Sequence, residues 1–266
     1  MKKMIVVAIG LVVLVGIVGI VSMKKGKTSK EVVSTPTPRP KLTIASNTLP
    51  IEERPFVLIE PTAAREVVLS IQTLPKTAEN VEFELQYSSA EKEEAAIGSI
   101  NLNGKLPYTK TILLGSQSGG GKITYHENVT GGTLVLSFFN PNYKLSQEWA
   151  YIDNRKSLTG FSSRDGKFQI ETAKLFKGSA YVVVYNNPGL PAVLPKTVLA
   201  GPYSIVGTTA IATGKVQVSI RLDENKSAVA IMAWDGKEWK SYPAKMDGKV
   251  ATATADLAKT YVVVAK

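Results

Sequence analysis

Beyond about residue 50 the chain is written in short alternating runs. In "VEFELQY", Val81, Phe83 and Leu85 alternate with Glu82 and Glu84. "GTLVLSFF" and "GKVQVSI" do the same with Leu134, Leu136 and Phe138, then with Val216, Val218 and Ile220. A period of two sends successive side chains to opposite faces, so each run predicts a strand with one buried and one wet face, the habit of antiparallel sheets. "REVVLSIQTL", "GSAYVVVY" and "KTYVVVAK" share the enrichment in Val, Ile, Thr and Tyr. Asn103-Gly104, Asp165-Gly166, Asp235-Gly236 and Asp247-Gly248 punctuate the runs, and such pairs accept the positive φ of tight hairpin turns. No stretch past residue 50 keeps a helical period. "SSAEKEEAAIGS" (residues 88–99) reads as a polar loop or one helical turn. The expected class is all-β.

One phrase occurs twice. "DGKFQIETAKLFKGSAYVVV" starts at Asp165 and "DGKVATATADLAKTYVVV" at Asp247, an offset of 82 (247 − 165). The same offset pairs Gly132 with Gly214, Ser137 with Ser219, Lys144 with Lys226 and Asp153 with Asp235. It also lays the alternation of Leu134, Leu136 and Phe138 on that of Val216, Val218 and Ile220. Small adjustments bring Tyr181–Val184 onto Tyr261–Val264 and "KTILLG" onto "KTVLAG". Such self-similarity predicts two related β modules in tandem, with units near 106–184 and 192–264. A sandwich of ordinary size holds about 100 residues, so the division is placed at 155/156. That gives one β-sandwich over 49–155 and a second over 156–266, the latter partly repeating 106–184. A tryptophan-bearing hairpin, a DG turn and a closing Tyr-Val-Val-Val strand resemble the ends of immunoglobulin-like modules on bacterial membrane-anchored surface proteins. The resemblance covers the last third of the chain and implies two antiparallel, Ig-like sandwiches.

Met4 to Ser22 is an apolar run of 19 residues (4–22) between Lys2, Lys3 and Lys24, Lys25. About 20 helical residues cross a hydrocarbon core. A cleaved signal peptide has a shorter apolar stretch, about 7–15 residues, and ends in an A-x-A-like site, which "VSMKK" is not. Residues 1–23 are therefore expected to form an uncleaved transmembrane anchor with a short tail. Residues 24–48 form a linker, kept extended by Pro36, Pro38 and Pro40. Lysines flank both ends of the anchor, so charge alone leaves its orientation near a tie. The stiff spacer favours a cell-membrane, single-pass protein with its bulk extracytoplasmic.

The net charge of +10 suggests a polyanion partner until it is located. Residues 1–48 hold eight basic against one acidic side chain (+7), beside the membrane, where lysines meet anionic headgroups. Residues 49–155 hold nine against 13 (−4), and residues 156–266 hold 15 against eight (+7). Only the second half is thus a candidate for nucleic acid, and no nucleic-acid motif accompanies it.

There is no cysteine, which excludes disulfides, thiolate catalysis and Cys-ligated zinc. The single histidine, His126, would have to serve any serine triad, with Glu127 or Asp153 to orient it, and no G-x-S-x-G is present. "GSQSGGGKITY" (residues 115–125) has Ile123 where a phosphate loop needs Ser or Thr. No catalytic residue, metal or cofactor is expected. The candidate binding surface is "MAWDGKEWKSY": Trp234 and Trp239 on the arms of a DG turn, Tyr242 beyond, and Lys237 and Lys240 alongside. Exposed aromatic faces suit sugar rings, although Trp in a sandwich also serves as core or as a cross-strand pair. The expected function is non-enzymatic: adhesion, envelope structure, or binding of envelope glycan or surface protein. A carbohydrate-binding or carbohydrate-active accessory module is the alternative, and an inward-facing basic module on nucleic acid comes last.

Overall fold

A computed structural model describes residues 43–266 except Glu91 and Ile211. The anchor expected over 1–23 and most of the linker lie outside the described residues, among which no helix is long and apolar enough to cross a membrane. The described residues form one compact unit. The last expected linker residues belong to it: Asn47 donates its backbone N–H to Lys144 O (2.9 Å) and its side-chain amide to Ser146 O (2.8 Å).

After a 3-10 turn at Ile51–Glu53 come β1 (Val57–Pro61), β2 (Glu66–Ile71), β3 (Asn80–Ser89), β4 (Lys92–Asn101), β5 (Tyr108–Leu113), β6 (Gly115–Gln117) and β7 (Ile123–Tyr125). The middle of the chain supplies β8 (Gly131–Phe139), β9 (Tyr143–Asp153), β10 (Gly160–Ser162), β11 (Phe168–Glu171), β12 (Tyr181–Asn186) and β13 (Val198–Gly207). The last strands are β14 (Lys215–Arg221), β15 (Val229–Trp234), β16 (Trp239–Pro243), β17 (Lys245–Asp247), β18 (Val250–Asp256) and β19 (Thr260–Ala265). The described residues are all-β and their pairings are antiparallel, as the alternation predicts.

Nine strands make one sheet in the order β16-β15-β19-β13-β12-β9-β8-β3-β4. The order β1-β2-β5 makes a three-stranded sheet, β10-β11-β14-β18-β17 a five-stranded one, and β6-β7 a short hairpin. The nine-stranded sheet continues across the expected division at 155/156, because β9 pairs with β12 from Tyr181↔Asp153 to Tyr185↔Trp149.

Two cores lie on opposite faces of that sheet. One packs Val81, Leu85, Leu136, Phe138 and Trp149 against Ile59, Leu69 and Ile112 of the three-stranded sheet. The other packs Ile205, Ile231 and Val263 against Ile170, Val218 and Ala253 of the five-stranded sheet. They meet at β12, where Tyr181, Val183 and Tyr185 enter the first core and Val182 and Val184 the second. A strand covered on both faces needs an unbroken apolar run, which explains why "YVVVY" lacks alternation.

The repeated phrase does not place equivalent residues in equivalent positions. β12 and β19 flank β13, but Val182 and Val184 face the second core on one side, while Tyr261 and Val263 face it on the other. Phe168 and Ile170 point inward on β11, whereas Ala251, Ala253 and Ala255 do so on β18, which is one residue out of step with the sequence match. A one-residue change of facing exchanges every side chain between faces. β8 and β14, matched in sequence, lie in different sheets.

Three of the four turn pairs behave as expected, with Gly166, Gly236 and Gly248 at φ of 67°, 103° and 55°. Gly104 stays outside the left-handed region; it leads from β4 into β5 of another sheet. Residues 88–99, expected as a loop or helical turn, are instead the β3–β4 hairpin, with β4 at the edge of the large sheet.

Candidate functional site

The tryptophan hairpin forms as read. β15 and β16 are joined by the four residues 235–238, and Trp234 lies directly opposite Trp239. Their ring centroids are 5.4 Å apart, with the planes tilted by 56°. Asp235 closes the turn: its Oδ1 accepts from the backbone N–H of Lys237 (2.9 Å) and Glu238 (3.0 Å). Its Oδ2 meets Lys240 Nζ at 2.9 Å. The Lys240 ammonium, then those two backbone donors, hold the Asp235 carboxyl well below the usual carboxylate range.

The pleat divides the expected binding set. Trp239 packs with Met232 against Leu190 and Leu194, and its indole N–H donates to Ala192 O at 3.4 Å. Trp234 shares that face. Lys240 and Tyr242 point to the opposite face, where Tyr242 packs on the second core and donates to Asp256 Oδ2 at 2.7 Å. Lys215 lies 5.6 Å over the Tyr242 ring and pairs with Asp256 at 2.6 Å. Lys237 is exposed in the turn. Trp239 therefore covers the segment 190–194 on the sheet, and the two indoles are tilted rather than coplanar.

A second site is tertiary in origin. At one end of the first core, loops after β1, β7 and β9 and the start of β12 enclose a cleft of about 90 Å³. Backbone bonds set its frame: Leu114 N donates to Arg65 O (3.2 Å), His126 N to Leu114 O (3.0 Å) and Tyr151 N to Thr130 O (3.1 Å). Two ion pairs form its walls. Arg65 Nη1 meets Glu127 Oε1 at 2.6 Å. Arg155 engages both Asp153 oxygens, with its Nε 2.9 Å from each. Tyr151 and Tyr181 stack at 4.9 Å on the inner side.

The Tyr151 hydroxyl is buried and has no hydrogen-bond partner among the described residues, although Tyr181, Arg65 and Asp153 are close enough to act on its charge. Burial, first of all, pushes its pKa far up and keeps it protonated. Hydrogen bonding to Glu127, then to Tyr181, strengthens the proton affinity of Arg65. The Arg155 guanidinium lowers the pKa of Asp153.

His126 and the two acids that could orient it in a triad, Glu127 and Asp153, all line this cleft. Each carboxylate is nevertheless held by an arginine, and His126 Nδ1 faces the Tyr87 hydroxyl at 3.1 Å. Among the described residues, no three His, Cys, Asp or Glu side chains gather as a metal site. Arg65, Tyr151, Arg155 and Tyr181 carry no signal in the sequence. Tyr151 and Tyr181 read only as strand aromatics, and Arg65 is brought in by a turn at φ 56°.

No protein-family model, no curated protein and no solved structure matches this chain.

Proposed function

We propose that the chain is a non-enzymatic membrane-anchored protein whose β head stands outside the cell membrane and serves surface binding, adhesion or envelope structure. One observation carries the reading. Among the described residues, four carboxylates are held ionised by neighbouring cations: Asp153 by Arg155, Asp223 by Lys167, Asp235 by Lys240 and Asp256 by Lys215. General acid–base catalysis calls for a pKa near the working pH, and these pairings move the groups the other way. In support, the described compact unit follows closely on the proline-alternating segment of the sequence. Two tandem Ig-like modules remain the proposed lineage of the two cores, now sharing a sheet.

Carbohydrate binding keeps one specific observation in its favour: Trp234 and Trp239 are half-buried on the edge hairpin, so part of each ring meets solvent. Protease treatment of intact cells carrying the full chain tests the main reading. Release of a fragment beginning near residues 36–40 is the expected result. Protection until lysis overturns the topology and moves attention to the basic second half.

A further inference from the structure

We propose that β4 is a docking edge for a second copy of this chain, which pairs β4 against β4 antiparallel and joins two nine-stranded sheets into one. β4 ends the large sheet, and among the described residues Lys92–Asn101 pairs with β3 alone. The backbone N–H and C=O groups on its far side therefore have no strand to meet, and the chemistry that satisfies such a row is another strand edge. The usual protection is missing. β4 is ten residues long, where the other strands at sheet ends run from three to six. The opposite edge of the same sheet, β16, has five residues, carries Lys240 and ends in Pro243, which has no N–H. β4 has no proline, and its register runs from Asn80↔Asn101 to Ser89↔Lys92 without a bulge. Gly98 does not interrupt it, because the Phe83 ring lies over that position, 2.6 Å from where a Cβ would stand.

The side chains choose the partner and its direction. Ile97 is 76% exposed, between exposed Ala95 and Ser99 on the same face. Lys92, Glu93 and Glu94 lie at one end of β4, and Ala95–Asn101 is uncharged. A parallel copy in register would set Glu93 on Glu93 and Glu94 on Glu94, and like charges directly opposite are unfavourable. An antiparallel copy sets the charged end of each strand beside the uncharged end of the other. A two-fold axis through Ile97, perpendicular to the sheet, keeps core-facing residues beside core-facing residues. It brings the two Ile97 side chains together, Ala95 of one copy beside Ser99 of the other, and Glu93 beside Asn101. Such a contact uses the same patch on both copies and closes at two.

The chain has no cysteine, so single introduced cysteines report the contact cleanly. The purified full chain in detergent micelles is followed by sedimentation velocity and by mild oxidation of Ile97→Cys. Val193→Cys is the control, since Val193 is 89% exposed and lies in the loop before β13. Opposed residues of an antiparallel pair stand about 4.5–5.5 Å apart at Cα, within disulfide reach. A concentration-dependent monomer–dimer equilibrium is expected, with Ile97→Cys cross-linking at least about tenfold faster than Val193→Cys. A mixture of Ala95→Cys and Ser99→Cys should link one variant to the other, and neither to itself. Ile97→Lys sets two ammonium groups opposite each other, so it should weaken the dimer at least about tenfold and still melt at the parent's temperature. Four results overturn the proposal: a monomer throughout, equal cross-linking at positions 97 and 193, Ala95→Cys linking to itself, or a dimer that Ile97→Lys leaves unchanged and another surface therefore holds. The contact is read on purified protein, so its failure stands apart from a failure of the protease test on cells.

Discussion

Val183 and Val184 are neighbours on β12, both fully buried, and they point into different cores. Truncating either to alanine removes about two methylene equivalents, worth roughly 1.6 kcal/mol at about 0.8 kcal/mol each. A cavity term adds to this, because a strand paired on both sides cannot collapse into the gap. The expected cost is about 2–3 kcal/mol for each variant. The sharper expectation concerns where that cost is felt. The first core cannot lose β12 without stripping Val182 and Val184 from the second, and β13 is shared in the same way by Val206 and Ile205. The two cores should therefore unfold together, despite the size of the unit.

Hydrogen exchange in mild denaturant reads this directly, since the slowest amides exchange through global unfolding. Peptides from β8 report the first core and peptides from β14 the second. Val183→Ala and Val184→Ala should each speed exchange in both peptides by about 30–150-fold, at about 1.4 kcal/mol per decade. If Val183→Ala moves only β8 and Val184→Ala only β14, the cores are independent domains and the reasoning from the shared strand fails.

Asn187 pins β1 to the large sheet: it accepts from Val57 N (3.2 Å) and donates to Val57 O (2.5 Å) and Ser204 Oγ (3.4 Å), all buried. Asn187→Ala orphans both Val57 groups and should cost about 2–4 kcal/mol in urea unfolding; a loss below about 1 kcal/mol would show the joint to be dispensable. Among the described residues, neither the side-chain nitrogen nor the oxygen of buried Gln147 has a partner, so Gln147→Met should raise stability by about 1–2 kcal/mol, and a lowered midpoint would contradict that. Burial raises the pKa of Tyr143, Tyr151, Tyr185, Tyr203 and Tyr261. The unfolded chain then ionises first, so stability is intact below the usual tyrosine value near 10 and falls as pH rises above it, by up to about 1.4 kcal/mol per unit for each tyrosine. Tyrosinate absorbance against pH should show these five of the ten tyrosines ionising only as the protein unfolds; smooth titration of all ten without unfolding would refute it.

The sequence carried the strands and most turns because those are local statements. Alternation around Val81–Leu85 names the buried face of β3, and Asp235-Gly236 closes the hairpin it promises. Residues 88–99 misled because β4 is an edge strand with one face open to solvent. Ile97, 76% exposed, lies outward there, and Ala96 and Gly98 inward. Such a strand needs few large apolar residues, so its composition resembles a loop. The tryptophans could be paired from their spacing, but which of Trp239, Lys240 and Tyr242 share a face depends on the pleat, which separates neighbours in sequence.

The different facings of the repeated phrase and the cleft were not legible in the sequence, for a common physical reason. An unbroken run such as Tyr181–Tyr185 or Tyr261–Val264 states that both faces are covered and says nothing about which residue faces which core. Sequence identity between two such runs is therefore compatible with opposite facings, as β12 and β19 display about β13. The cleft exists only because β9 pairs with β12 across the expected boundary. That pairing stacks Tyr151 on Tyr181, and the turn at Arg65 then closes over them. Had the chain been two separate sandwiches divided at 155/156, Tyr181 would belong to the other domain and the Tyr151 hydroxyl would lie at an open surface. Its burial without a partner is thus a consequence of the shared sheet, and the same strand that couples the two cores builds the site.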